Sequence, residues 1–148
     1  MGTRLHTHFL PYTPEQLYDL VADVQKYPHF LPWCVAARIL SKSETEIVAD
    51  LSVGYKFLRE TFRSKVHLTP KTRIDVEYIS GPFHYLNNHW VFKKGPKGGT
   101  NVDFFIDFEF KNHLFQSATQ MVFETAFDKM LSSFEKRAQQ LYGEGKAS

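Results

Sequence analysis

Apolar and polar residues alternate with a period of two through most of the middle of the chain. Phe62, Val66 and Leu68 stand opposite Arg63, Lys65 and His67, and Ile74, Val76 and Tyr78 opposite Arg73, Asp75 and Glu77. Val102, Phe104, Ile106, Phe108 and Phe110 likewise oppose Asp103, Asp107 and Glu109. Successive side chains of a strand point to opposite faces, so the pattern predicts an antiparallel sheet with one buried and one wet face. Strands are expected over Val35–Leu40, Glu44–Val53, Arg59–Leu68, Arg73–Ile79, Leu86–Phe92 and Asn101–Phe110. An earlier one is expected over Thr3–Leu10, where Leu5, Thr7 and Phe9 alternate with His6 and His8. Thr69-Pro70-Lys71, Ser80-Gly81-Pro82 and Gly95-Pro96-Lys97-Gly98-Gly99 supply the turn chemistry between strands.

Two segments switch to the helical period. Thr13-Pro14-Glu15-Gln16 reads as a capping box with proline at the first helical position, and Leu17, Leu20, Val21 and Val24 then share one face. Two prolines in Tyr27-Pro28-His29-Phe30-Leu31-Pro32-Trp33 limit any helix there to about a turn. From His113 to Leu141 there is neither Gly nor Pro, and Ala118, Met121, Val122, Thr125, Ala126, Met130 and Phe134 recur at three and four. Phe123, Phe127 and Leu131 widen that stripe. Roughly 28 residues at 1.5 Å each give a helix of about 42 Å. That exceeds the roughly 33 Å of a ten-residue strand, so the helix can cross the whole sheet. The order is strand, helix, a run of strands and one long helix, an α+β layout. A curved antiparallel sheet gripping the terminal helix buries both apolar faces. One domain over residues 1–148 is expected, with 143–148 as a disordered tail.

Composition sharpens this picture at one point. Of 148 residues, 14 are Phe, 7 Tyr and 2 Trp, and these large side chains must fill a core or line something. A net charge of +2 is too weak to demand a nucleic-acid partner. The lone Cys34 excludes an internal disulfide and any Cys-rich metal site, and it fits a reducing compartment. No apolar run approaches the roughly 18 residues of a transmembrane helix, and the N-terminus lacks a signal-peptide core. A soluble, cytoplasmic protein is expected.

Several stretches carry a resemblance. They are Val24-Gln25-Lys26-Tyr27-Pro28-His29-Phe30-Leu31-Pro32-Trp33-Cys34, Leu51-Ser52-Val53-Gly54-Tyr55, and Gly81-Pro82-Phe83 with Leu86 and Trp90. The run Val102–Phe110 and the terminal Ala138-Gln139-Gln140-Leu141-Tyr142-Gly143 complete the set. Together they resemble the coenzyme Q-binding branch of the START-like (polyketide cyclase/dehydrase, Bet v 1-like) superfamily, which includes bacterial proteins named ribosome-association toxins. The resemblance implies a helix-grip fold with an apolar tunnel between sheet and C-terminal helix. It also implies binding of ubiquinone or a related polyprenyl lipid in support of respiratory electron transfer. It leaves open whether a bacterial member acts on quinone, on ribosomes or on both.

The side chains expected to converge on such a tunnel are Trp33, Leu51, Val53, Phe62, Val66, Tyr78, Trp90, Phe104, Phe108, Phe123, Phe127 and Met130. The bland alternative is a solid core built from the same residues. Tyr78 and the two indoles are candidate donors to a quinone carbonyl, against ordinary packing with a backbone or water partner. Tyr27, Phe30, Leu31, Tyr55 and Phe57 place bulky groups in expected loops and are candidates for a tunnel mouth touching a membrane, against loops folded back on the core. Lys56, Arg59, Arg63 and Lys65, with Lys93, Lys94 and Lys97, form two basic runs suited to an anionic bilayer at the inner membrane or to rRNA phosphates. A solvated strand face in which Asp103, Asp107 and Glu109 pair with neighbours is the plainer reading.

Catalytic signals are weak. No GxSxG, HExxH, CxxC or P-loop spacing occurs, His6 and His8 lack a third metal ligand, and Cys34 reads as structural. No metal, no catalytic cofactor and no enzymatic role are expected. Three functions compete, in this order: a quinone or lipid carrier, a toxin-like ribosome-binding regulator, and a polyketide cyclase or hydratase. The last needs an acid–base pair inside the tunnel, and the alternation nominates no inward carboxylate. A compact chain of this length has a radius of gyration near 15 Å, so an extended polyprenyl tail must fold, protrude or stay in a membrane.

Overall fold

A computed structural model of the protein describes residues 2–55, 58–111 and 113–143; the side chains of residues 2, 4, 55, 58 and 113–127 lie outside the described set. Phe57 and the 144–148 part of the expected tail fall outside it too. The elements are β1 (Gly2–Leu10), α1 (Pro14–Ala22), β2 (Cys34–Lys42), β3 (Glu46–Tyr55), β4 (Leu58–Thr69), β5 (Arg73–Ser80), β6 (Phe83–Lys94), β7 (Thr100–Phe110) and α2 (His113–Tyr142). A 3₁₀ turn over Val24–His29 follows α1. The strands form one antiparallel sheet in the order β1-β7-β6-β5-β4-β3-β2. β2 to β7 are joined as successive hairpins, and β1 adds to the far edge against β7.

The helix-grip arrangement expected from the alternation is present: the bent sheet carries its apolar face toward α2. Cross-strand partners share a face, so the register writes that face as rows. One row runs Ile47, Val66, Val76, Asn88, Ile106 across β3, β4, β5, β6 and β7. Its neighbour runs Leu68, Ile74, Trp90, Phe104. Ile47, Val66, Ile74, Trp90 and Phe104 are all at most 7% exposed, which fixes the concave face as the core side.

Local sequence chemistry sets the element ends. Thr13 caps α1: its Oγ1 accepts from Gln16 N–H at 3.1 Å while Gln16 Oε1 accepts from Thr13 N–H at 3.0 Å. This is the reciprocal box the sequence announced, and it satisfies two orphan donors. Gly81, at φ +144°, lets the β5–β6 turn lie against Phe62. The expected strand starting at Glu44 begins two residues later, because Ser43 Oγ takes Glu46 N–H at 3.1 Å and holds residues 43–46 as a turn. β6 begins at Phe83 rather than Leu86, since the turn ends immediately after Pro82.

α1 and the C-terminal end of α2 close one end of the core. Tyr142 Oη donates to Gln16 O at 3.0 Å, Tyr12 Oη donates to Gly143 O at 2.8 Å, and Ala138 is fully buried. β1 holds a difference from the simplest amphipathic reading. His6 pairs with Phe104 and His8 with Val102, so the histidines lie on the concave side, where His8 Nε2 is 3.8 Å from Glu135 of α2. Leu5 and Phe9 face outward, Leu5 at 72% exposure. The register of this edge strand follows its ladder with β7, and the Phe9 ring rests on Gly95 and Gly99 of the β6–β7 connection.

Candidate ligand-binding site

Sheet and helix do not meet in full contact. Between them lies an open cavity of about 300 Å³, the lower end of the range for small-molecule sites (about 300–1,000 Å³). Its floor is the inward row positions: Leu51 and Val53 of β3, Phe62 and Val66 of β4, Ile74 and Val76 of β5, Leu86 and Trp90 of β6, and Phe104, Ile106 and Phe108 of β7. Met130 and Phe134 of α2 cover it, with Val21, Val24, Tyr27, Leu31 and Trp33 as a side wall.

Two aromatic clusters bracket the space. Phe83 sits 5.6 Å from Phe62, 5.5 Å from Tyr78, 5.7 Å from Phe108 and 4.8 Å from Phe110. At the other end Phe134 meets Trp90 at 5.1 Å, Tyr27 at 5.5 Å and Phe30 at 5.3 Å, and Trp90 meets Phe104 at 4.6 Å. Most of these contacts are edge-to-face, the geometry that aromatic quadrupoles favour. They fix the walls by shape and leave the centre unfilled.

Most of the side chains expected at the tunnel therefore line the cavity: Trp33, Leu51, Val53, Phe62, Val66, Trp90, Phe104, Phe108 and Met130. Tyr78 does not. Its Oη accepts the Phe83 N–H at 3.0 Å and its ring belongs to the Phe83 cluster, so it anchors the β5–β6 turn instead of facing a ligand. Phe123 and Phe127 lie among the α2 side chains outside the described set.

The expected mouth needs correction as well. Leu31 is 2% exposed and Tyr27 packs against Phe134, so these two side chains are folded back as cavity wall. Tyr27 Oη donates to Val21 O. Burial, with Cys34 and Asp23 nearby, pushes its phenol far above the ordinary range. Phe30 is partly buried, with the Arg137 guanidinium 5.4 Å from its ring centre. The Tyr55 side chain and Phe57 fall outside the described residues. Cys34 is buried beneath this wall, and burial pushes its thiol up to about 11, which suits packing and not nucleophilic chemistry.

Four polar residues on the cavity wall escaped the reading by alternation. Glu60 and Ser64 occupy inward parity on β4, two before Phe62 and two before Val66, and Asn88 does so on β6 between Leu86 and Trp90. Arg59 stands beside Glu60, exposed at the solvent end. The signal was present in the period of two, but a polar residue in an apolar run reads as outward unless parity is enforced. Glu60 thus supplies the inward carboxylate that the sequence reading lacked. It sits at the rim, where Val53 is its pairing partner.

Arg63, Lys65 and Lys93 lie on the opposite, convex face, where each is charge-paired. Arg63 makes two bonds to Asp50, at 2.8 and 3.1 Å, and Lys93 Nζ is 2.7 Å from Asp103. Lys65 is 3.8 Å from Glu46. Bonding to Arg63 holds the Asp50 carboxyl below its ordinary value, and bonding to Lys93 and Thr7 does the same for Asp103. Lys94, the last residue of β6, and Lys97, in the β6–β7 connection, are exposed. Among the described residues, no cluster of three or more His, Cys, Asp or Glu has metal-binding geometry, and no helix is long and apolar enough to cross a membrane.

With this geometry established, three similarities bear on it. Ribosome association toxin RatA of Rickettsia prowazekii (strain Madrid E) is 41% identical over 140 residues, covering 92% of this chain and 95% of that protein. Coenzyme Q-binding protein COQ10 homolog B, mitochondrial, of Xenopus laevis is 33% identical over 138 residues, covering 90% of this chain and 57% of that protein. A START superfamily protein from Mycobacterium smegmatis has the same fold, with TM-score 0.80 at 17% identity over 94% of this chain and 98% of its own. These relatives carry the names of binding or regulatory proteins. Residues 10–135 match the family described as polyketide cyclase / dehydrase and lipid transport, and the chain belongs to that family.

Proposed function

We propose that the protein binds a hydrophobic small molecule, ubiquinone or a related polyprenyl lipid, and acts as its carrier in support of respiratory electron transport. The observation that carries this reading is the open, apolar cavity between the sheet and α2. The work of binding is desolvation: each apolar carbon removed from water contributes about 0.8 kcal/mol, whichever part of the ligand enters. The name of the Xenopus relative gives the ligand class its first candidate. About 300 Å³ holds roughly 10 non-hydrogen atoms at the share of a liquid water molecule, and somewhat more at interior packing density. A full polyprenyl quinone exceeds that several-fold. Part of the ligand stays outside, and a transient encounter with the bilayer follows from that mismatch.

The test is organic extraction and mass spectrometry of the protein purified from its own host. A prenylquinone at near-stoichiometric yield is expected, reduced in Trp90→Ala, which removes the ring at the cavity's inner wall. Protein that retains no lipid and takes none up from quinone-loaded vesicles sinks the carrier reading.

A second reading is favoured by the name of the Rickettsia relative: a regulator that associates with the ribosome in the manner of a toxin. Co-sedimentation with large ribosomal subunits checks it. On the convex face, Arg63, Lys65 and Lys93 would have to exchange carboxylate partners for phosphates, whereas Lys94 and Lys97 are exposed at the end of β6 and in the turn after it. Loss of co-sedimentation in Lys94→Glu/Lys97→Glu, without loss in Arg63→Gln, is the expected pattern. The cyclase reading has Glu60 at the rim as its one inward carboxylate among the described residues, and no base faces it inside.

A further inference from the structure

The floor of the cavity is apolar with three exceptions, and all three are neutral hydrogen-bonding groups placed deep. Ser64 is 2% exposed and Trp90 7%, yet among the described residues neither the Ser64 hydroxyl nor the Trp90 indole N–H has a hydrogen-bond partner. Every fully buried side-chain nitrogen or oxygen in that set is partnered. The two free groups are therefore not sealed in protein, and both residues line the cavity. Asn88 is the third. Its Nδ2 donates to Phe105 O at 2.8 Å, which orients the amide and leaves its second N–H and its carbonyl oxygen for a ligand in the cavity it lines. An unpaired polar group that loses water costs about 1–3 kcal/mol, so two free groups and a half-used amide are a standing bias toward a ligand that satisfies them.

Their positions define where that ligand's polar end goes. Ser64 lies four residues, about 13 Å of strand, inward from Glu60 at the rim. Asn88 is one row further in and two strands across, about 12 Å from Ser64 between Cα atoms, and Trp90 is the next inward residue on the same strand. A group engaging both sides carries two oxygens on opposite edges of a ring. Formal charges occur only at the rim among the described lining residues, as Arg59 beside Glu60. An anionic head would be buried without a cation, which is prohibitive.

We infer that the cavity selects a neutral ring bearing carbonyl or hydroxyl oxygens and takes it head-first. Ser64, Asn88 and Trp90 are the specificity-determining donors, and the apolar tail leaves past Glu60 and Trp33. This rests on the carrier reading and gives it a direction. The cavity size agrees, since it holds a substituted ring and little more. The tail remains outside, where a bilayer or a second acceptor can take it.

Displacement of Nile red from the full-length protein by three probes tests the direction. The probes are a dimethoxy-methyl-benzoquinone with one isoprene unit, the hydrocarbon farnesene, and palmitate beside its methyl ester. The quinone is expected to lose about tenfold in affinity in each of Ser64→Ala, Asn88→Leu and Trp90→Phe. Farnesene should lose clearly less than the quinone in each variant, and the native circular dichroism and urea midpoint of the variants report that they are folded. Palmitate should bind at least tenfold more weakly than its ester. Intermolecular NOEs are expected from the quinone methoxy protons to the Asn88 side-chain amide. Equal losses for quinone and farnesene, or methoxy NOEs to Glu60 with tail NOEs to Asn88, overturn the head-first assignment while leaving a carrier. Failure of every probe, Nile red included, removes the carrier reading itself.

Discussion

Val76→Phe separates a hollow interior from a solid one by the sign of its effect on stability. Val76 sits mid-floor between Val66 and Asn88 and borders the cavity. Phenylalanine adds four carbons there, worth about 3 kcal/mol of transfer free energy at about 0.8 kcal/mol each. Ordering the larger side chain and imperfect fit take back about 1–2 kcal/mol. The expected net is a stabilisation of about 1–2 kcal/mol, because the ring enters space already empty. In a packed core the same change is overpacking and costs about 1–3 kcal/mol. The two cases differ in sign. Urea unfolding followed by tryptophan fluorescence reads this directly: with m near 1–3 kcal/mol/M, the midpoint should rise by roughly 0.3–2 M. Nile red binding should fall at least tenfold in the same protein. A lowered midpoint with dye binding retained would mean that the space is not a cavity of the described size, and the desolvation argument would go with it.

Three further outcomes follow from the geometry. Gly81→Ala should destabilise by about 2–4 kcal/mol, from strain at φ +144° together with a Cβ only 2.6 Å from Phe62 Cβ, measurable as a fall in the urea midpoint. His89, stacked on Phe105 at 5.1 Å, has its pKa lowered by burial and then by Arg73. The unfolded chain therefore takes up that proton first, and stability present above about pH 6.5 is lost as pH falls below it; His89→Gln should flatten that part of the stability–pH curve, and an unchanged slope refutes the assignment. Cys34 at pH 8 should react with a disulfide reagent only at the rate of opening, since burial and a thiol near 11 leave roughly one molecule in a thousand as thiolate. A stoichiometric reaction within seconds in native buffer contradicts its place under the Leu31 wall.

Much of this was readable from residue order because two periodicities and one cap are local facts. The parity of Phe62, Val66 and Leu68 and of Phe104 and Phe108 follows from strand geometry alone, and Thr13 with Gln16 closes its box within four residues. What escaped was set by tertiary context. Ser64 and Asn88 were passed over because polarity was taken as a sign of exposure, whereas their parity places them inside. Tyr78 shares the inward parity but spends its hydroxyl on the Phe83 amide, a partner that only the turn at Gly81 brings near. The Tyr27–Trp33 loop is as apolar as a membrane-docking loop, and nothing local says that Phe134, more than a hundred residues later, will cover it. The outward Leu5 and Phe9 depend on a ladder with β7 that no neighbouring residue encodes.

That ladder also dictates the order in which the molecule can be finished. Thr3 bonds Asp107 at 2.7 Å and Thr7 bonds Asp103 at 2.8 Å, joining segments 104 and 96 residues apart. At translation speeds of about 5–20 residues per second, the N-terminal strand waits about 5–20 s for its mate to be made. The β2–β6 hairpins can zip in sequence as they emerge, each closing a short loop. The first strand of the sheet to be made is thus the last to join it, and its nine residues wait for β7 with their backbone hydrogen bonds in the keeping of water.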